Sequence, residues 1–122
     1  MTKILIVDDE AYIRMLYKKE LESEGYQVGL AATAREAFDL LAAGQFDIII
    51  LDIELGDDNG LELLNEIRQN YRNCGIILNS AYSTYKADFQ SWLADAYIMK
   101  SSNLEPLKNK IRDLLKKDHC ES

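Results

Sequence analysis

Asp52 stands directly after four aliphatic residues in "IIILDIEL" (Ile48 to Leu55), where a strand that reads as buried ends on a carboxylate. Asp8, Asp9 and Glu10 close another apolar run, "KILIV"; Asn79 and Ser80 close "GIIL", and Lys100 follows "DAYIM". Taken singly, each has an ordinary explanation. Asp8, Asp9 or Ser80 would cap a following helix, Asp52 would end a strand, and Lys100 would be a solvated lysine. Their joint occurrence at the ends of successive apolar runs outweighs those explanations. Carboxylates gathered this way suit a hard divalent cation, and magnesium takes one or two of them plus waters and phosphoryl oxygens. With Asp8 and Asp9 neutralised, Asp52 becomes a feasible nucleophile toward a phosphoryl group. Lys100 would then pair with one phosphoryl oxygen and Ser80 would donate a hydrogen bond to another. A nucleotide or flavin phosphate would need glycines after the first strand, and neither GxGxxG nor GxxxxGK[ST] occurs.

These residues meet only if the elements carrying them are parallel. Candidate strands are Lys3 to Val7, Tyr26 to Leu30, Asp47 to Leu51, Gly75 to Asn79 and Asp95 to Met99. The first, third and fourth read as buried on both faces. Between them, Ile13, Leu16, Tyr17 and Leu21 fall on one helical face, as do Ala34, Ala37, Phe38 and Leu41. Gly60, Leu63, Leu64, Ile67 and Tyr71 form a third stripe, and Leu104, Leu107, Ile111 and Leu114 a last one. Tyr85, Phe89 and Trp92 suggest a short helix between the fourth and fifth strands. Strands alternating with helices imply an α/β, doubly wound parallel sheet of order 2-1-3-4-5 with five helices, whose ligand site lies at the carboxyl ends of the strands.

Size and charge narrow the function classes. The 122 residues form one domain, large enough for a core without metal or disulfide staples. A formal charge of -7 argues against a surface that tracks nucleic-acid phosphates, although the last helix is locally basic. Two cysteines, Cys74 and Cys120, read as free thiols. The N-terminus is unlike a signal peptide and no run is long enough to span a bilayer, so a cytoplasmic protein without membrane insertion is expected.

The motifs "ILIVDDE", "DIIILDIEL", "DDNGLELLNEIR", "IILNSAY" and "DAYIMK" together resemble the receiver domain of two-component response regulators, over essentially the whole chain (core about 3–117). The resemblance implies a flavodoxin-like fold. It also implies that Asp52 takes its phosphoryl group from a histidine kinase or phosphotransfer protein, with magnesium or manganese held by Asp8, Asp9, Asp52 and the backbone carbonyl of Glu54. Ser80 and Tyr97 would be the switch pair, Lys100 the phosphate-contacting lysine, and Glu54 and Tyr82 the residues that tune the phosphoryl lifetime. Such a chain is a signalling switch with slow self-dephosphorylation at most, not an enzyme.

The chain also departs from the family's pattern. Ser101 replaces the usual proline after Lys100, so a trans bond and a reshaped "SSN" loop capped by Ser102 or Asn103 are expected, with Glu105 completing a box from Ser102. Gly56 stands where "MPxxDG" has proline, and "WLADAY" alters the residue before the fifth strand. Only "DHCES" follows the last helix, so the signal is expected to leave through a surface that binds an unknown downstream protein. The competing readings are a receiver-like module that is never phosphorylated and a haloacid-dehalogenase-like phosphatase using Asp52 and Glu54. An EF-hand loop over Leu55 to Glu66 fails at its first ligand position.

Overall fold

The alternating runs become a five-stranded parallel sheet in the computed structural model of the chain, which describes residues 2–55, 58–71, 73–81 and 94–121. The strands are β1 (Lys3–Val7), β2 (Gln27–Ala31), β3 (Ile48–Asp52), β6 (Gly75–Ser80) and β7 (Ala96–Met99), in spatial order β2-β1-β3-β6-β7. Every neighbouring pair is parallel, which is the expected 2-1-3-4-5 order. Two short strands, β4 (Glu54–Leu55) and β5 (Asp58–Asn59), add an antiparallel pair that the sequence pattern did not announce. The helices are α1 (Ala11–Ser23), α2 (Ala34–Ala43), α3 (Gly60–Asn70) and α4 (Glu105–Glu121). The short helix expected around Tyr85, Phe89 and Trp92 lies outside the described residues. Among the described residues no helix is long and apolar enough to cross a membrane.

β1, β3 and β6 are buried almost throughout, as their unbroken aliphatic runs imply. Period-two alternation splits their side chains between two cores. Leu5, Val7, Ile49, Leu51, Ile76 and Leu78 face α2 and α3, whereas Ile4, Ile6, Ile48, Ile50 and Ile77 face α1 and α4. Tyr97 packs against the first core and Tyr17 is wholly inside the second.

Three strands, β2, β3 and β7, begin one residue later than the apolar runs suggest. Tyr26 is taken up in closing α1: its N–H reaches the Leu21 carbonyl and that of Gly25 reaches Glu22, a Schellman closure. Gly25 has φ +94, the left-handed turn that favours glycine at this position. β3 in turn extends to Asp52 because that residue still pairs with Asn79. At the other end of the chain, the Lys100–Ser101 bond is trans, like every described peptide bond. The loop after it is held by Ser101 Oγ, which accepts from the Asn103 N–H, and by Asn103 Oδ1, which accepts from the Glu105 N–H. The expected Ser102–Glu105 box is thus replaced by Asn103, two residues ahead of the helix.

Ile49 is fully buried at the centre of the sheet, so Ile49→Ala should cost about 2 to 5 kcal/mol. Urea denaturation checks this; a loss well below that range would mean the site collapses without leaving a cavity.

Candidate functional site

Parallel pairing brings the chemical residues together, because each sits at or just past the carboxyl end of its strand. Asp8 follows β1 and is fixed by its own N–H, which bonds the Ala31 carbonyl at 3.0 Å. Asp52 and Asn79 are register partners, as are Ser80 and Met99, and the Lys100 N–H bonds the Ser80 carbonyl at 2.8 Å. The last bond carries the lysine back toward the middle of the sheet.

Asp8 and Asp52 are held alike. Each uses Oδ1 to accept a backbone N–H two residues on, Asp8 from Glu10 at 2.8 Å and Asp52 from Glu54 at 3.0 Å. Each turns Oδ2 to the Lys100 ammonium, at 3.0 Å in both cases. Glu10 Oε1 approaches the same ammonium at 3.3 Å. One partly exposed cation therefore serves three carboxylates, and the site carries a surplus of negative charge.

Burial of the two carboxylates dominates their proton affinities. Burial pushes the Asp52 carboxyl up to about 6, against the opposing hydrogen bonds from Lys100 and the Glu54 N–H. Burial likewise raises Asp8. For Lys100 burial acts to lower the value, but its bonds to Asp52 and Asp8 outweigh it and hold the ammonium well above the ordinary lysine range. Asp52 is thus largely ionised at neutral pH and Lys100 fully charged.

Asp9 is exposed at the rim. Its carboxylate, with those of Asp8 and Glu10, forms a group whose oxygens all lie within 4.8 Å of one another. This all-oxygen set suits a hard divalent cation.

Residues 4–112 match the family described as the response regulator receiver domain. The chain belongs to that family. Receiver domains are the phosphoryl-accepting switches of two-component signalling, and the sheet order found here is theirs. The response regulator ArlR of Staphylococcus saprophyticus is 36% identical over 118 residues, covering 96% of this chain and 54% of that protein. The chain thus spans about half the length of the curated relatives it matches. A CheY-like receiver domain protein from Methanospirillum hungatei superposes with a TM-score of 0.94 at 35% identity, covering 100% of this chain and 99% of that one. TrrA of Thermotoga maritima, solved in complex with magnesium and BeF, gives 0.89 at 46% identity, covering 93% and 99%. TrrA has also been solved with the histidine kinase ThkA.

Of the residues expected in the receiver site, Asp8, Asp9, Asp52 and Lys100 converge as described. Ser80 is buried on the strand next to Asp52, and Tyr97 lies on β7, in register with Leu78. Glu54 is exposed, its N–H bonded to Asp52; Tyr82 lies outside the described residues. The sequence pattern did not single out Arg14, whose Nη1 donates to the Asp8 carbonyl at 2.7 Å, nor the contact of Glu10 with Lys100. Its position at the end of the "DDE" run was the only signal for Glu10.

The raised Asp52 value fixes the sign of a stability effect. The folded chain holds that proton up to about pH 6, whereas the unfolded chain releases it near the ordinary aspartate value of 3.8. Between those values the folded state binds more protons, so stability falls as pH rises from about 4 to about 6 and stays low above. Asp52→Asn should therefore raise the melting temperature at pH 7, by an amount worth at most about 3 kcal/mol, and the gain should shrink as pH falls toward 4. Thermal melts of both chains across that range test it; an unchanged or lower melting temperature at pH 7 would show that the carboxylate is not penalised by burial.

Proposed function

We propose that Asp52 is the phosphoryl acceptor of this receiver domain, and that the phosphoryl group comes from a histidine kinase phosphohistidine. The observation that carries this reading is the Asp52 carboxylate itself: buried at the end of β3, ionised at neutral pH, and 3.0 Å from a charged lysine. In the transfer an Asp52 oxygen bonds to phosphorus as the phosphorus–nitrogen bond to histidine breaks, and the imidazole leaves with that electron pair. Lys100 moves from Asp52 Oδ2 to a phosphoryl oxygen, which places positive charge where negative charge accumulates. Ser80 donates to another phosphoryl oxygen and Tyr97 turns inward behind it, reshaping a surface for a downstream protein.

Asp8 and Asp9, with Asp52 and the Glu54 carbonyl, would hold magnesium or, with the same hard-oxygen chemistry, manganese. The close approach of the Asp8, Asp9 and Glu10 carboxylate oxygens, and the sharing of Lys100 between Asp8 and Asp52, support a cation here, as does TrrA, which was solved with magnesium and BeF. Such an ion supplies charge neutralisation for the carboxylates and for the incoming phosphoryl oxygens. The complex of TrrA with ThkA supports a histidine kinase as partner. We read residues 3–117 as one cytoplasmic receiver unit whose acidity disfavours direct nucleic-acid binding. Slow self-dephosphorylation would be tuned by Glu54 and Tyr82, the first by orienting water and the second by excluding it.

Acetyl phosphate or phosphoramidate should add one phosphoryl group to the chain, detected by mass spectrometry, and the adduct should vanish with a chelator or in Asp52→Asn. Lys100→Ala should slow its formation about tenfold or more. An adduct surviving in Asp52→Asn would move the acceptor elsewhere. Dephosphorylation should change in Glu54→Ala, Tyr82→Ala or both; equal lifetimes in all three chains would remove these two residues from hydrolysis.

A further inference from the structure

In the core beneath Asp52, a polar link that the reaction does not use joins Tyr17 to Asn79. Tyr17 projects from the middle of α1 into the aliphatic core facing that helix, where it is 1% exposed, and its hydroxyl meets Asn79 Oδ1 at 2.8 Å. Asn79 is equally buried, and its Nδ2 donates to the Ile98 carbonyl on β7 at 3.0 Å. The direction of each bond is fixed. A carbonyl only accepts, so Nδ2 faces Ile98, Oδ1 faces Tyr17, and the phenol donates. Burial pushes that phenol up to about 12, so it keeps its proton.

This chain of bonds spans three elements within a few residues of the site. Asn79 is the register partner of Asp52 and precedes Ser80; Ile98 is two residues before Lys100. Its neighbours in the core include Ile6, Ile50 and Ile77, among which two apolar side chains would fill the same space without a desolvation cost. What the polar pair adds is direction, because both bonds form only at one separation of α1, β6 and β7.

Taking Asp52 as acceptor, we infer that Tyr17 and Asn79 are positioning residues: they clamp the carboxyl end of β7 to β6 and α1, so that the Lys100 ammonium falls between Asp8 and Asp52. Neither touches the reacting atoms. They act through the Ile98 carbonyl and the backbone bond from Lys100 to Ser80.

The test uses the double variant Tyr17→Phe/Asn79→Leu, which removes both side-chain polar groups at once and leaves the Ile98 carbonyl as the former partner still in place, together with Tyr17→Phe alone. Native-state hydrogen exchange reads the clamp without any phosphorylation. In the double variant the Lys100 amide should lose about tenfold or more of its protection, while the Gly75 amide, bonded to Asp47 at the far end of the sheet, keeps its own. Tyr17→Phe alone should give a smaller loss at the same place. The phosphoramidate reaction supplies the second measurement. Its maximal rate should fall about tenfold in the double variant, with the magnesium concentration at half-maximal rate held within about twofold, since Asp8 and Asp9 are not displaced. Unchanged Lys100 protection in both variants would overturn the clamp, as would a uniform loss at Lys100 and Gly75 alike. If the unsubstituted chain formed no adduct, the assignment of Asp52 would fail, and the exchange data would still decide the clamp.

Discussion

The Lys100 ammonium between Asp8 and Asp52 is the contact on which the site depends. Two buried carboxylates so close together would repel strongly, and removing the lysine would leave both uncompensated. The ammonium does not balance them fully, since Glu10 shares it and Asp9 stands nearby. The result is a pocket that is held together yet still attracts positive charge. A receiver domain needs both properties: it must persist before phosphorylation and gain from it.

The sheet supplies the geometry that makes this contact possible. In a parallel sheet all strand ends of one polarity lie on the same edge, so residues 8, 52, 80 and 100 meet although they are far apart in the chain. Period-two alternation then sorts the strand ends. Leu78 and Tyr97 face the core under α2 and α3, whereas Asn79 faces the core under α1 and bonds Tyr17. The site is thus wired into both layers of the domain. Tyr97 belongs to one side of the sheet, and the Tyr17–Asn79 link ties the other to α1.

Most of this could be read from the sequence because strands buried on both faces carry unbroken aliphatic runs, and a polar residue at their ends has few structural reasons to be there. Asp8, Asp52 and Lys100 stand out for that reason. Periodicity is blind to what side-chain tips do. Tyr17 was recognised as a core residue from its helical spacing, but nothing in the spacing says that its hydroxyl finds an amide 62 positions away. Asn79 looked like the end of a strand and proved to be inside one. The β4–β5 pair was missed because strands of two residues are too short to show alternation. Of the two expected caps of α4, Ser102 and Asn103, the structure uses Asn103: three polar residues in a row offer equivalent local bonds, and the path of the loop after Lys100 chooses among them.

The charge surplus also links binding to stability. A carboxylate held near 6 by burial is one the fold would rather keep protonated, so at neutral pH the ionised site weighs against the folded state. Any ligand that brings positive charge to the folded site, and not to the unfolded chain, recovers part of that cost in addition to its contact energy. A phosphoryl group on Asp52 would act in the opposite sense, adding negative charge that Lys100 and a bound cation would have to meet. On the proposed reading the two events are coupled through the same carboxylates: a cation would relieve repulsion that a phosphoryl group would partly restore. Lys100 would then have to change partners between them, which makes the backbone that aims it as important as the charge it carries.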